Sequence, residues 1–209
     1  MRSVVCISHA TGSGGSEVGR LVAERLGFRY VDEDIIAQAA AKGGVDPGDL
    51  ADEERRKSWL ARALDEFGRG ASGEAWALLG PMPPAPGQAS TGEELRALIR
   101  EAIEETAAQG KAVIVAHAAS HAIGRREEAL RVLVTASAGT RAARLCEAEK
   151  LEEAAASRAV KDADAARADY LRRFHDVDDE QPTHYDLVVN TDQLSLEQAA
   201  ELVSSAASM

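Results

Sequence analysis

Cysteine is scarce: Cys6 and Cys146 are the two in 209 residues. One lies in an apolar run and the other in a helical stretch, without metal-ligand spacing. That sets aside a disulfide framework or a cysteine metal site and predicts two small buried thiols. Basic residues are outnumbered as well, with 24 Lys and Arg against 35 Asp and Glu, a formal net charge of −11. This is the wrong sign for the counterion release that drives binding to polymeric nucleic acid, and for an anionic membrane. A small phosphorylated ligand is still compatible with it, because a local arginine cluster can reverse the field inside one cleft. Long apolar runs are missing too. Arg2 precedes only Val4 to Ile7 before a polar turn, too short for a signal h-region, and no later run approaches about 20 residues. The expected setting is soluble and cytoplasmic, with no membrane partner.

The length favours one domain with a mobile appendage. Short apolar runs at Arg2 to Ser8, Phe28 to Val31, Ala112 to Ala116, Leu130 to Thr135 and Asp186 to Asn190 are candidate strands. Helical patterns lie between and after them: Glu17 to Leu26, Glu33 to Ala41, Glu53 to Phe67, Glu93 to Gln109, Thr140 to Glu149, Glu152 to Phe174 and Leu196 to Ala207. Near-continuous apolar strands alternating with helices suit a parallel sheet covered on both faces. Thr91 reads as a helix cap, Gly110 as a helix stop, and Ser195 with Glu197 and Gln198 as the opening of the last helix. From Gly68 to Gly92 the chain holds four of its six prolines and few charges. This connection either folds over a ligand or is a surface insertion.

The first thirty residues carry the clearest chemistry. An apolar run, the turn Ser8-His9-Ala10-Thr11-Gly12-Ser13-Gly14-Gly15 and a helical pattern follow in that order. Glycines let the backbone curl, and the first free N–H groups of the helix face whatever sits there, so phosphate is the expected guest. On the phosphate-loop pattern G-x-x-x-x-G-K-S/T, His9 stands at the first glycine, Gly14 matches, Gly15 stands at the lysine and Ser16 at the hydroxyl position. Without the lysine, the turn reads equally as a phosphate cradle or as simple chain reversal.

Five stretches together resemble the cytidylate kinase-like family, relatives of the nucleoside monophosphate kinases. Ile7-Ser8, Gly12 to Gly15 and Glu17-Val18 are similar to its "ISREYGSGGREI" start, and Tyr30-Val31-Asp32 with Ile35-Ile36 to its "FYDREII". Ala112 to Ser120 sits where the family has "VIVGRGAN"; Asp164, Arg167 and Tyr170 match its D-x-x-R-x-x-Y; Tyr185 to Thr191 matches its "YDLVINT". The resemblance implies a three-layer α/β/α P-loop kinase fold, a five-stranded parallel sheet with a helical lid over about residues 139 to 173. It also implies transfer of the γ-phosphoryl of ATP to a nucleoside monophosphate, with Mg²⁺.

Phosphoryl transfer needs backbone donors, a divalent cation and guanidinium or ammonium groups. Gly12, Ser13, Gly14, Gly15, Ser16 and Glu17 are the candidate donors for the ATP phosphates. Ser16 is either the magnesium ligand its position implies or a helix cap. Arg141, Arg144 and Arg167 are the candidate catalytic cations. Arg141 and Arg144, three apart, share a helix face and can grip phosphate oxygens bidentately. Arg167, nine residues past Arg158, is expected on one broad face with it. The other reading of these arginines is solvated, or paired with Asp162, Asp164 or Asp169. Asp32, at the carboxyl edge of the second strand, either holds the acceptor or caps a helix. His9, His117, Arg158, Lys161 and Tyr170 complete the candidate acceptor set, with Tyr170 and Tyr185 also readable as core.

The chain departs from the family where charge matters. Histidine or serine replaces arginine at His9, Ser16 and His117, and Ala116 and Ala118 replace glycines. Each lost fixed charge costs about 3 kcal/mol in a transition state, by analogy with one preorganised donor. His121 and His175 read as ordinary surface or boundary histidines without a partner at ligand spacing. An ATP-dependent nucleotide kinase is therefore the leading expectation. A degenerate kinase that binds a nucleotide or another anion without turnover is the second, and a kinase for a different small phosphate acceptor the third.

Overall fold

The computed structural model describes residues 2–32, 92–116 and 118–209. The expected helices over 33–41 and 53–67, the connection from Gly68 as far as Thr91, and His117 lie outside the described residues. Strand β1 (Val4–His9) leads into helix α1 (Gly15–Leu26) and β2 (Arg29–Val31). After the undescribed segment come α2 (Gly92–Gln109), β3 (Ala112–Val115), the short α3 (Ala119–Ile123) and β4 (Ala129–Thr135). The chain closes with α4 (Ala138–Glu149), α5 (Glu153–His175), a single 3₁₀ turn (Pro182–His184), β5 (Leu187–Asn190) and α6 (Leu196–Ser208). The expected elements within the described residues are all found, with ends moved by one or two residues, the usual fraying.

All pairings are parallel, in the order β2-β3-β1-β4-β5. β1 is central, with Ile7 beside Val115 on one flank and Val132 on the other. Alternation along the strands divides the core in two. Val4, Cys6 and Ile114 pack under Ala102, Ile103 and Ile123 of α2 and α3, while Val5, Ile7, Val113 and Val132 pack under Val18, Val22 and Val203 of α1 and α6. Each fully buried valine or isoleucine side chain contributes about 1.5–3 kcal/mol, so both faces are firmly seated.

Helices α4 and α5 have a small apolar seam of their own: Ala142 and Leu145 against Ala156, Ala159 and Val160. They form a hairpin beyond the carboxyl end of β4, where the helical lid is expected. The anticipated cap of the last helix is present in full: Ser195 Oγ accepts from the Gln198 amide at 3.2 Å and Gln198 Oε1 accepts from the Ser195 amide at 2.9 Å. Among the described residues no helix is long and apolar enough to cross a membrane.

Candidate active site at the carboxyl edge of the sheet

The turn between β1 and α1 lies at the carboxyl end of the central strand, where open parallel α/β sheets bind ligands. Gly12 and Gly14 take φ of 78° and 82°, left-handed values that suit glycine. The loop is fastened from behind through its carbonyls. Thr191 Oγ1 donates to the Ser13 carbonyl at 2.8 Å and Arg144 Nη1 at 3.1 Å, and Arg144 Nη2 donates to the Thr191 carbonyl at 2.7 Å. Ser13 Oγ donates to the Val134 carbonyl at 3.0 Å. With carbonyls engaged at the rear, the first-turn amides of α1 at Gly15, Ser16 and Glu17 have no intrahelical acceptor, and among the described residues the N-cap, Gly14, offers no side-chain cap. The helix dipole adds about half a positive charge there.

The lid arginines converge on this loop, but each meets protein. Arg141 is buried and forks onto Asp164, with distances of 2.8 and 2.7 Å, while also donating to the Ala136 carbonyl. Arg144 shares its helix face, as the spacing predicts, and spends its fork on the loop carbonyls and Thr191. Arg167 forks onto Glu180, Nε to Oε2 at 2.9 Å, with Nη1 3.4 Å from the His9 carbonyl. Burial would raise the Glu180 carboxyl, but hydrogen bonding from Arg167 and Tyr185 outweighs it and holds the group below its ordinary value. Arg158 and Lys161 are exposed on α5. The expectation that Arg158 shares a face with Arg167 fails for a simple reason: nine residues are about two and a half helical turns. Arg167 is accordingly turned inward, 12% exposed at its side chain, on the side opposite Arg158.

Asp32 lies immediately beyond β2 and accepts a 2.9 Å hydrogen bond from the Tyr30 hydroxyl. Burial, and then Asp32, push the Tyr30 phenol up to about 12, against contributions from Arg20 and the hydrogen-bonded Ser16 hydroxyl. Arg20 sits 5.1 Å from the centre of the Tyr30 ring. Ser16, Tyr30 and Asp32 thus form one polar chain from the start of α1 to the end of β2.

His9 is at the end of β1, its Nδ1 3.4 Å from the Ala10 carbonyl. Burial lowers its pKa, the Ala10 carbonyl opposes that, and Arg167 adds to the lowering, so the ring is neutral near pH 7. His121 and His175 are half-buried boundary histidines, as read from the sequence, and the fold adds ring contacts between them that the sequence did not announce. The His121 ring lies 5.6 Å from His175, 5.8 Å from His184 and 5.6 Å from Tyr185, centroid to centroid. Its Nε2 is 3.2 Å from the Tyr185 hydroxyl, which itself donates to Glu180. Tyr170 borders this cluster, 5.7 Å from His175. The partners come from α3, α5 and the 3₁₀ turn, so no sequence spacing announced them. The D-x-x-R-x-x-Y match was the available signal.

A cleft of about 260 Å³ runs between Ala10, Thr135 and the inner face of α5, walled by Arg141, Asp164, Arg167 and Glu180. Among the described residues no group of three or more His, Cys, Asp or Glu is arranged to hold a metal ion. The Ser16 hydroxyl, the magnesium candidate of the sequence, is hydrogen-bonded to the Tyr30 phenol.

Comparison with known proteins fits this arrangement. The chain is 40% identical over 63 residues to a cytidylate kinase of Afipia carboxidovorans, a match covering 30% of each protein. Its fold is similar to an uncharacterized protein of Eubacterium ventriosum (TM-score 0.66, 14% identity, 99% of both chains). It is also similar to a shikimate kinase of Bacteroides thetaiotaomicron (TM-score 0.53, 13% identity, 99% of this chain and 98% of that one). The fold is that of the P-loop kinases. A profile of the cytidylate kinase-like family matches residues 4–193, and the chain belongs to that family.

Proposed function

We propose that the protein transfers the γ-phosphoryl group of ATP to a small phosphorylated acceptor of the nucleoside monophosphate class. The observation that carries this reading is the glycine loop at the carboxyl end of the central strand, its Ser13 carbonyl held by Thr191 and Arg144, with no side-chain cap at Gly14 on the start of α1. In this reading the backbone from Gly12 to Glu17 binds the donor phosphates. Asp32, at the end of β2, orients the acceptor, Arg141 and Arg167 close from the lid, and Arg144 braces the loop from behind. Ser16 would hold Mg²⁺, which when bound neutralises phosphate charge. The lid arginines act by exchange: an arriving phosphate replaces Glu180 or Asp164 on a guanidinium that is already oriented.

A second reading is binding without turnover, and a specific observation favours it. The three positions where the family carries fixed cations hold His9, Ser16 and His117, and Arg141 and Arg167 are both neutralised by carboxylates. The two readings separate in one experiment, ATP consumption with Mg²⁺ against each common nucleoside monophosphate, run beside calorimetric titration of the same nucleotides. Turnover above background supports the kinase, heat without turnover supports the binder, and folded protein showing neither removes both.

A further inference from the structure

Ser16, Gly19 and Arg20 are three and four residues apart, so they stack on one side of α1. The Tyr30 ring lies against that side. A Cβ built on Gly19 would fall 3.2 Å from Tyr30 Cε2 and 2.4 Å from Val115 Cγ2, so bare backbone is what lets the ring come this close. The Arg20 guanidinium, 5.1 Å from the ring centre, holds it by a cation–π contact. Seated by its ring, Tyr30 carries its hydroxyl to the first turn of α1, where it is hydrogen-bonded to Ser16, and donates to Asp32 Oδ2 at 2.9 Å. A phenol has a single proton to give. Asp32 takes it, so Ser16 is the donor in the other bond, and both bonds run in one sense from Ser16 through Tyr30 to Asp32. The hydroxyl of Ser16 thus serves this chain of bonds and not the helix end, whose cap is Gly14. Of the three residues only Asp32 matches the family's stretches, which carry arginine where this protein has Ser16 and phenylalanine where it has Tyr30. A phenylalanine offers no hydroxyl, so the connection belongs to this protein.

We propose that Tyr30 is a positioning residue that couples the two substrate sites, so that a nucleotide seated at the start of α1 favours the second nucleotide at the end of β2. The inference rests on the proposed function, in which the α1 amides take the donor phosphates and Asp32 orients the acceptor. A ligand that orders the first turn of α1 orders Ser16 within it. Ser16 then fixes the phenol, the phenol fixes the carboxyl, and the acceptor meets Asp32 already oriented and loses less freedom on binding. Hydrogen bonds in series also polarise one another, which adds to the effect in the same direction. By linkage the acceptor favours the donor by the same factor.

The test is calorimetric titration of the full chain with CMP, alone and with a saturating non-hydrolysable ATP analogue and Mg²⁺, in wild type, Tyr30→Phe and Ser16→Ala. Tyr30→Phe keeps the ring and its seat on Gly19 and removes only the hydroxyl. Wild type is expected to bind CMP about fivefold more tightly with the analogue present. That ratio should fall to about one in both variants, whatever happens to the separate affinities. A ratio retained in Tyr30→Phe, or a ratio of one in wild type, would overturn the proposal while leaving the two-site reading standing. A folded wild type that binds neither probe, or the analogue alone, would overturn the proposal together with the reading beneath it. A second readout needs no ligand. In urea unfolding Ser16→Ala and Asp32→Asn should be non-additive in wild type and additive in the Tyr30→Phe background, and additivity in both would refute the connection itself.

Discussion

Gly12 offers the sharpest stability test of how the loop is seated. Its φ of 78° is left-handed, and a Cβ there would lie 2.8 Å from the Arg141 carbonyl oxygen and 3.0 Å from Arg141 Cβ. The obstacle is the backbone of α4, which its own apolar seam holds in place, so it cannot swing aside as a flexible side-chain tip does. Gly12→Ala therefore suffers twice: about 1–2 kcal/mol for the left-handed conformation and about 1–3 kcal/mol for the overpacked contact, near 3 kcal/mol together. Gly27 is the matched control, with φ of 65° and nothing within 4 Å of the point a methyl group there would occupy. Gly27→Ala meets only the conformational part, about 1 kcal/mol. The gain from a stiffer unfolded chain is common to both variants and cancels in the comparison. With a urea slope of about 2.5 kcal/mol/M, the midpoints should fall by about 1.2 M and about 0.4 M. Equal shifts would refute the claim that α4 bears directly on the loop.

Three further outcomes follow from the same geometry. Glu180→Gln leaves Arg167 partly buried with a weaker partner and should cost about 2 kcal/mol in urea unfolding near neutral pH. Because Glu180 is held below its ordinary 4.5, its contribution is complete above that pH and is lost as pH falls through the lower folded value, so the gap between wild type and variant should narrow as the pH is taken below 4.5. Ser195→Ala removes one half of the α6 capping box and should cost about 1 kcal/mol, read as a lowered urea midpoint. His121 is pushed down to about 4, chiefly by burial and then by His175. The unfolded chain thus takes up a proton near 6.5 that the folded one refuses until near 4, and stability should decline across that window. His121→Phe should flatten the decline in a series of thermal melts, and an unchanged slope would count against the cluster.

The sheet was legible because each strand is a short, nearly continuous apolar run, and β3 and β4 are buried almost throughout. Helix α3 escaped notice because five residues are too few for a period to declare itself, and the 3₁₀ turn is shorter still. The inward face shared by Arg141 and Arg144 was readable from their spacing. What those guanidiniums touch was not, since Asp164 lies 23 residues from Arg141, and Thr191 lies 47 from Arg144. The same holds for His9 and Gly15. Nothing in the sequence brings the two together, but the turn of the chain back onto β1 would set a Cβ on Gly15 2.2 Å from His9 Cβ.

The arginine pairs bear on how such a site can be both stable and ready. A guanidinium kept in a partly buried cleft without a partner would lose several kcal/mol of hydration, so a cleft walled by Arg141 and Arg167 needs internal anions. Asp164 and Glu180 serve as those anions, each meeting its arginine with the two-pronged geometry that a phosphate would also present. Exchanging a carboxylate for a phosphate then keeps each fork paired, and the net cost falls on the displaced carboxylate. Asp164, with its side chain 45% exposed, is released to water more readily than Glu180, at 21%. Under the proposed function, Arg141 is therefore the guanidinium that exchanges first. Arg167, more tightly held by Glu180 and Tyr185, keeps the base of the lid against β1 until the ligand is seated.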